Sequence, residues 1–157
     1  MAAKFRDNGF AYFLCLGIVE LYLFVIQSQN KNKLNISKNL IKRNIKVSGS
    51  NALILGFTFK ENCPDTRNTK VIDVIDELDT YNSVVSVYDP WADKNNVKQK
   101  FNINLIETPL ENYYDSIILA VGHDYFRNLN IEKIRKKNSV VYDTKSFFSK
   151  ELVDGQL

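Results

Sequence analysis

Five short runs of apolar, largely β-branched residues govern what this chain can fold into: "ALILGF" (52–57), "VVSVYD" (84–89), "INLIE" (103–107), "SIILAV" (116–121) and "SVVYDT" (139–144). Each is nearly continuous rather than alternating, which is the pattern of a strand covered on both faces. Between the first two lies an amphipathic segment. Val71, Ile72, Val74, Ile75 and Leu78 share one helical face and Asp73, Asp76, Glu77 and Asp79 the other, with Asn68 or Thr69 placed to cap its start. "ADKNNVKQKF" and "NIEKIRKK" are also expected to be helical, whereas "PLENYYD" is at most a turn or two. Strand, helix and strand at this spacing predict right-handed parallel crossovers. The expected fold is therefore α/β, an open doubly wound, mainly parallel five-stranded sheet of order about 3-2-1-4-5.

One or two helices should precede this sheet. In "ISKNLIKRNIKV", Ile36, Leu40, Ile41 and Ile45 recur at helical spacing while Lys38, Lys42, Arg43 and Lys46 take the opposite face. Ahead of it, "QSQNKNKLN" (27–35) is polar and aperiodic, a linker that divides the chain into residues 1–35 and a body of 36–157. Residues 10–26, "FAYFLCLGIVELYLFVI", carry only Glu20 as a charge and are just long enough for a membrane span. No small-residue cleavage site follows Ile26, so a removed signal peptide does not fit. A membrane anchor and an apolar helix covered by a partner surface both remain open; the second fits better, because Glu20 at the centre of a lone span is costly.

Composition narrows the function classes. The 157 residues suffice for one domain with a real core, and a net charge of +3 spread among many carboxylates leaves no nucleic-acid footprint. Cys15 and Cys63 form no CxxC, and with one histidine, His123, the chain cannot assemble a zinc site of ordinary spacing. Both thiols are expected to be reduced, in a cytoplasmic protein.

An open parallel sheet binds ligands beyond the carboxyl ends of its strands. That rule gathers residues 58–70, "DPW" (89–91), "GHDYF" (122–126) and "TKSF" (144–147) along one edge. Asp89 stands where a ribose-binding acid belongs in a dinucleotide site, yet Gly56 is followed by Phe57, Thr58, Phe59 and Lys60 rather than by the glycines a pyrophosphate demands. "YDPW" is accordingly expected to be a strand end with a proline turn. Lys145 would suit a phosphorelay receiver domain, but the acidic pair such domains need after the first strand is absent. His123 has no Ser, Cys or acid partner at a diagnostic spacing and is expected at a loop-to-helix junction, and Cys63 lacks an evident activating base. What remains is cationic: Lys60, Arg67 and Lys145, with Phe59 and Trp91 beside them. Such a set can clamp a diphosphate, lysine as a point charge and arginine as a fork, or it can be an exposed loop with ordinary charges. The residues alone leave both readings open.

The stretches "ILGFTFKENCPDTRNTKVIDVIDEL", "VYDPW", "ILAVGHDYF" and "VVYDTKSFFSKELVDG" together resemble the C-terminal domain of the UDP-glucose/GDP-mannose dehydrogenase family. "TFKENCPDTRN" looks most like the branch that oxidises UDP-N-acetylhexosamines, including the Vi-antigen and O-antigen type enzymes of surface polysaccharide synthesis. The resemblance implies a Rossmann-like, UDP-sugar-binding domain of an enzyme that oxidises a C6 hydroxyl to a carboxylate with two NAD+ in succession, by way of a cysteine thioester. By position it implies Phe59, Lys60 and Lys145 as substrate-binding residues and Arg67 as a contact to the cofactor held by the other domain. Neither Cys15 nor Cys63 matches the catalytic cysteine, and residues 1 to about 30 resemble neither the NAD domain nor the cysteine segment. The expectation is that this polypeptide binds no NAD and reduces none by itself. An N-terminal catalytic half or a companion chain would supply those parts, in a full enzyme expected to be a homo-oligomer.

Overall fold

In the computed structural model, which describes residues 48–156, β1 (Asn51–Leu55) pairs in parallel on both sides. Its neighbours are β2 (Val84–Tyr88) and β3 (Tyr114–Leu119); β4 (Arg135–Asp143) and β5 (Gly155–Gln156) complete an all-parallel sheet of order β2-β1-β3-β4-β5. Helix α1 (Val71–Thr80) connects β1 to β2, α2 (Lys94–Phe101) follows β2, and a 3-10 turn (Asp124–Asn128) and α3 (Ile131–Ile134) lie between β3 and β4.

Alternate residues of each strand point to opposite faces, so a strand with no polar positions needs a cover on each side. Ala52 and Ile54 of β1 pack with Val71, Ile75 and Leu78 of α1 and Val97 of α2. Leu53 and Leu55 pack on the other side with Phe126 of the 3-10 turn and Ile131 and Ile134 of α3. All four β1 side chains are fully buried. Burying one such aliphatic side chain contributes about 1.5–3 kcal/mol, which is why these runs fix the sheet.

The expected order is obtained for the first, second, fourth and fifth runs, with three differences. Residues 103–107 do not form a strand: the segment touches the sheet through one parallel bridge, Val87 to Leu105, with the Ile106 amide donating to the Val87 carbonyl at 2.9 Å. It is framed by Asn102 in the left-handed region and by Pro109, and only Leu105 among residues 103–107 is buried, so little apolar surface rewards further pairing. The bridge still lies outside β2, where the third run was expected. The helix expected over "NIEKIRKK" stops after Ile134, and Arg135–Asn138 extend β4 instead. The Asn130 side chain caps the short helix by accepting the Lys133 amide at 3.1 Å, and Lys136 Nζ holds both Asp115 oxygens at 2.9 Å. That tertiary pairing overrides a weak helical period. At the start of α1, Lys70 occupies the cap position, and Thr69 Oγ1 accepts the Val71 amide at 3.3 Å. Strand β5 has no counterpart among the five runs.

The segments 10–26, 27–35 and 36–47, with the helices, linker and Cys15 expected there, lie outside the described residues. Among the described residues no helix is long and apolar enough to cross a membrane.

Candidate functional site at the carboxyl edge of the sheet

Two strands end in the same tripeptide, Val-Tyr-Asp, and both aspartates are turned to organising loops. Asp89, after β2, is buried, and both its oxygens are fully engaged. Oδ2 accepts the amides of Phe57 (2.6 Å) and Thr58 (3.0 Å) and the Nε2–H of His123 (3.1 Å); Oδ1 accepts the amides of Trp91 (2.7 Å) and Ala92 (3.0 Å). Burial pushes this carboxyl up, but the His123 bond and the Phe57 and Thr58 amides outweigh burial and hold it below its ordinary value. Asp143, at the end of β4, accepts the amides of Lys145 (2.8 Å), Phe147 (2.7 Å) and Phe148 (2.8 Å) and so shapes the turn that presents Lys145.

His123 is fully buried at the start of the 3-10 turn, the loop-to-helix position expected for it. The sequence showed no partner for it, and the fold supplies several. Its Nδ1 accepts the Asn62 backbone amide at 2.9 Å, a group that can only donate, so the ring carries its proton on Nε2. That Nε2–H is shared by Asp89 and by Thr58 Oγ1 at 3.1 Å, while the Thr58 hydroxyl gives its own proton to the Lys60 carbonyl at 3.1 Å. The neighbouring Asp124 grips the same asparagine, accepting Asn62 Nδ2–H at 2.7 Å and donating its amide to Asn62 Oδ1 at 3.0 Å. Asn62 has φ 53°, a left-handed conformation that asparagine tolerates better than most residues. Gly56 (φ +90°) makes the close approach of these loops possible: a Cβ there would lie 2.5 Å from Val121 Cβ.

The four segments expected at one edge do meet there, and the named residues fall into two groups. Lys145 Nζ lies 3.4 Å from Glu61 Oε1, which brings it against the residue next to Lys60. The Glu61 carboxyl is pushed up by partial burial, but its own backbone amide and Lys145 hold it net below its usual value. Phe59 and Lys60 are exposed, and Trp91, half-exposed, stacks on His123 with ring centroids 6.4 Å apart. Among the described residues no acid pairs with Lys60. Arg67 does not join them: its guanidinium makes a two-pronged contact with Asp65 (Nε to Oδ1 3.0 Å, Nη2 to Oδ2 2.9 Å) in an exposed position. That fork, with the Arg67 amide, holds Asp65 at about 2. Cys63 is a partly buried free thiol.

Arg127 belongs to the same edge and was missed. Its Cζ stands 4.3 Å from the Phe147 ring centroid, and its Nε reaches Asp124 Oδ1 at 3.3 Å. Nothing in its sequence neighbourhood signals this, since Phe147 arrives from the loop after β4; the repeated Val-Tyr-Asp was the available hint that two loops are built alike. These residues do not fit a dinucleotide site belonging to this domain: Asp89 has no oxygen to spare for a ribose, and Phe57 and Thr58 fill the turn where a pyrophosphate would approach. Among the described residues no cluster of three His, Cys, Asp or Glu side chains is placed to share a metal ion.

Residues 53–150 match the UDP-glucose/GDP-mannose dehydrogenase family, UDP binding domain. A UDP-N-acetyl-D-glucosamine 6-dehydrogenase of Salmonella typhi is 46% identical over 123 residues, covering 76% of this chain and 29% of that protein. The Pseudomonas aeruginosa enzyme of the same name is 44% identical over the same shares. The chain thus spans less than a third of the length of these curated relatives. Among solved structures, a UDP-D-ManNAc dehydrogenase from Pyrococcus horikoshii superposes with a TM-score of 0.68 at 17% identity, covering 98% of this chain and 34% of that one, which is a likeness of fold.

Proposed function

The chain belongs to the UDP-glucose/GDP-mannose dehydrogenase family, and we propose that residues 36–157 are the UDP-sugar-binding domain of an NAD-dependent nucleotide-sugar 6-dehydrogenase acting on a UDP-N-acetylhexosamine. The observation that carries this reading is the contact of Lys145 with Glu61, which sets cations from the first and fourth sheet loops at one edge. A diphosphate arriving there displaces Glu61 from Lys145, and Lys60 adds a second positive charge. Exposed Phe59 offers a ring face to the uridine or the sugar.

In this reading the domain holds the nucleotide half of the substrate while its C6 hydroxyl faces the rest of the enzyme, an N-terminal half or a companion chain. NAD supplies the hydride-accepting chemistry and is bound by that remainder; Arg67, exposed in the same loop, leaves Asp65 to contact it. The reading places the enzyme in the cytoplasm, as a homo-oligomer, in surface polysaccharide synthesis.

Calorimetric titration of the 157-residue chain with UDP and with UDP-GlcNAc tests the proposal. Binding that weakens about tenfold or more in both Lys60→Ala and Lys145→Ala is expected, the scale of one lost hydrogen bond to a charged group. No heat at about millimolar ligand, together with unchanged KM for the UDP-sugar when the same substitutions are made in a complete enzyme, refutes it.

A further inference from the structure

The buried histidine has no part in the substrate contacts just proposed, yet it sits beneath the loop that makes them. Residues 59–62 are tied down at every step. The Phe59 amide donates to the Asp65 carbonyl at 2.7 Å, the Lys60 carbonyl accepts the Thr58 hydroxyl, Glu61 meets Lys145, and Asn62 is held by His123 and Asp124. Two of these ties run through one imidazole: Nδ1 takes the Asn62 amide directly, and Nε2–H meets the Thr58 oxygen whose proton holds Lys60.

We propose that His123 is a positioning residue whose neutral, Nε2-protonated ring fixes residues 58–62 in the conformation that presents Phe59 and Lys60 to ligand, and that a proton added at Nδ1 releases them. A ring protonated at Nδ1 turns an N–H toward the N–H of Asn62, and two donors cannot satisfy each other, so this part-buried contact is lost and the exposed Asn62 is free to turn to water. The ring itself remains well placed, because Asp89 faces its other nitrogen with a full negative charge, so the segment that yields is the loop. Among the described residues, the charged groups that bear on the ring are Asp89 at the end of β2, Glu61 in the loop, itself paired with Lys145 after β4, and Asp124 on the 3-10 turn, which holds Asn62. The carboxylates of Asp89 and Glu61 lie below their ordinary values and stay charged across the range in which histidines titrate, about pH 5 to 8. The ring Nδ1, which faces the Asn62 amide at 2.9 Å, is then the position at which an added proton acts on the loop. The consequence for ligand rests on the UDP-sugar reading above, whereas the release of Asn62 does not.

The chain's single tryptophan, Trp91, stacks on this ring and reports on it. Its emission, the protection of the Asn62 amide relative to its intrinsic exchange rate at each pH, and the Kd for UDP-GlcNAc are to be measured from about pH 8 to about pH 5 in the wild type and in His123→Asn, which keeps an acceptor near Nδ1 but cannot be protonated. UDP-GlcNAc has both phosphates esterified and does not itself titrate in this range. The wild type is expected to lose Asn62 amide protection, quench Trp91 and bind about fivefold to tenfold more weakly on acidification, the worth of one hydrogen bond, while His123→Asn stays flat. A merely structural histidine would destabilise on substitution without moving any of these pH profiles. An Asn62 amide that keeps its protection down to about pH 5 in the wild type overturns the inference with no variant needed. A His123→Asn protein with the wild-type pH dependence overturns it equally. If UDP-GlcNAc does not bind at any pH while Asn62 and Trp91 respond, the UDP-sugar reading fails and the histidine switch stands.

Discussion

Asp89 Oδ2 and His123 Nε2 lie 3.1 Å apart with both side chains fully buried, joining the end of β2 to the start of the 3-10 turn across the carboxyl edge of the sheet. The same oxygen takes two amides from the loop after β1, so three chain segments far apart in sequence meet on one atom.

Asp89→Asn replaces an acceptor of five hydrogen bonds by a group with one oxygen and one donor amide. A loss of about 3 kcal/mol or more is expected, since each bond to a charged acceptor is worth about 1.5–3 kcal/mol and an amide donor now faces backbone donors. The pH dependence has a definite sign. The folded carboxyl lies below its ordinary value of 3.8, so its contribution is complete above that pH and is lost as pH falls through the lower folded value. Urea titrations at neutral and acid pH should show the wild type losing this increment on acidification below pH 3.8, and the variant lacking it throughout.

Glu61 competes with any anion for Lys145. Glu61→Gln should therefore tighten UDP binding by about threefold, the scale of one partly exposed ion pair, and leave unfolding free energy within about 0.5 kcal/mol. Weaker binding in this variant would mean that Glu61 contacts the ligand rather than restraining the lysine.

Arg67 should separate stability from function. Its pair with Asp65 is exposed, so Arg67→Ala is expected to leave stability within about 0.5 kcal/mol and UDP affinity of the chain unchanged. In a complete enzyme the same change should raise KM for NAD by about tenfold while sparing KM for the UDP-sugar. An equal effect on both would show that Arg67 sits on the substrate side.

Two glycines with positive φ make a matched pair. Gly49→Ala meets no atom within 4 Å and should cost about 1–2 kcal/mol, the backbone strain alone. Gly56→Ala adds a Cβ 2.5 Å from Val121 Cβ and 2.8 Å from its carbonyl oxygen, and should cost about 3 kcal/mol or more. Chemical denaturation of the two variants gives the comparison directly; equal losses would show that the approach of the two loops is not tight in solution.

The sheet was legible because its signal is local. A strand such as "ALILGF" buries side chains on both faces, so its apolar run is readable without knowing what covers it, and the carboxyl-edge rule then gathered loops 58–70, 89–91, 122–126 and 144–147 in advance. Where local signal was weak, tertiary pairing decided: Arg135–Asn138 left a helical period for β4, and Leu105 made one bridge instead of a strand. The candidate site divides in the same way. The chemical types of Lys60, Arg67 and Lys145 stand in the sequence, but which cation faces which acid does not. Glu61 reaches Lys145 from the far side of three strands of sequence, while Arg67 turns to Asp65 beside it. His123 is the sharpest case. No spacing in the chain links it to Asp89, Thr58 or Asn62, because hydrogen bonds depend on distances of about 3 Å and directions that only the folded sheet brings about. The sequence by itself determined the strands, the edge and the charges available there; the tertiary structure decided which of those charges are spent on holding loops and which are left to meet a ligand.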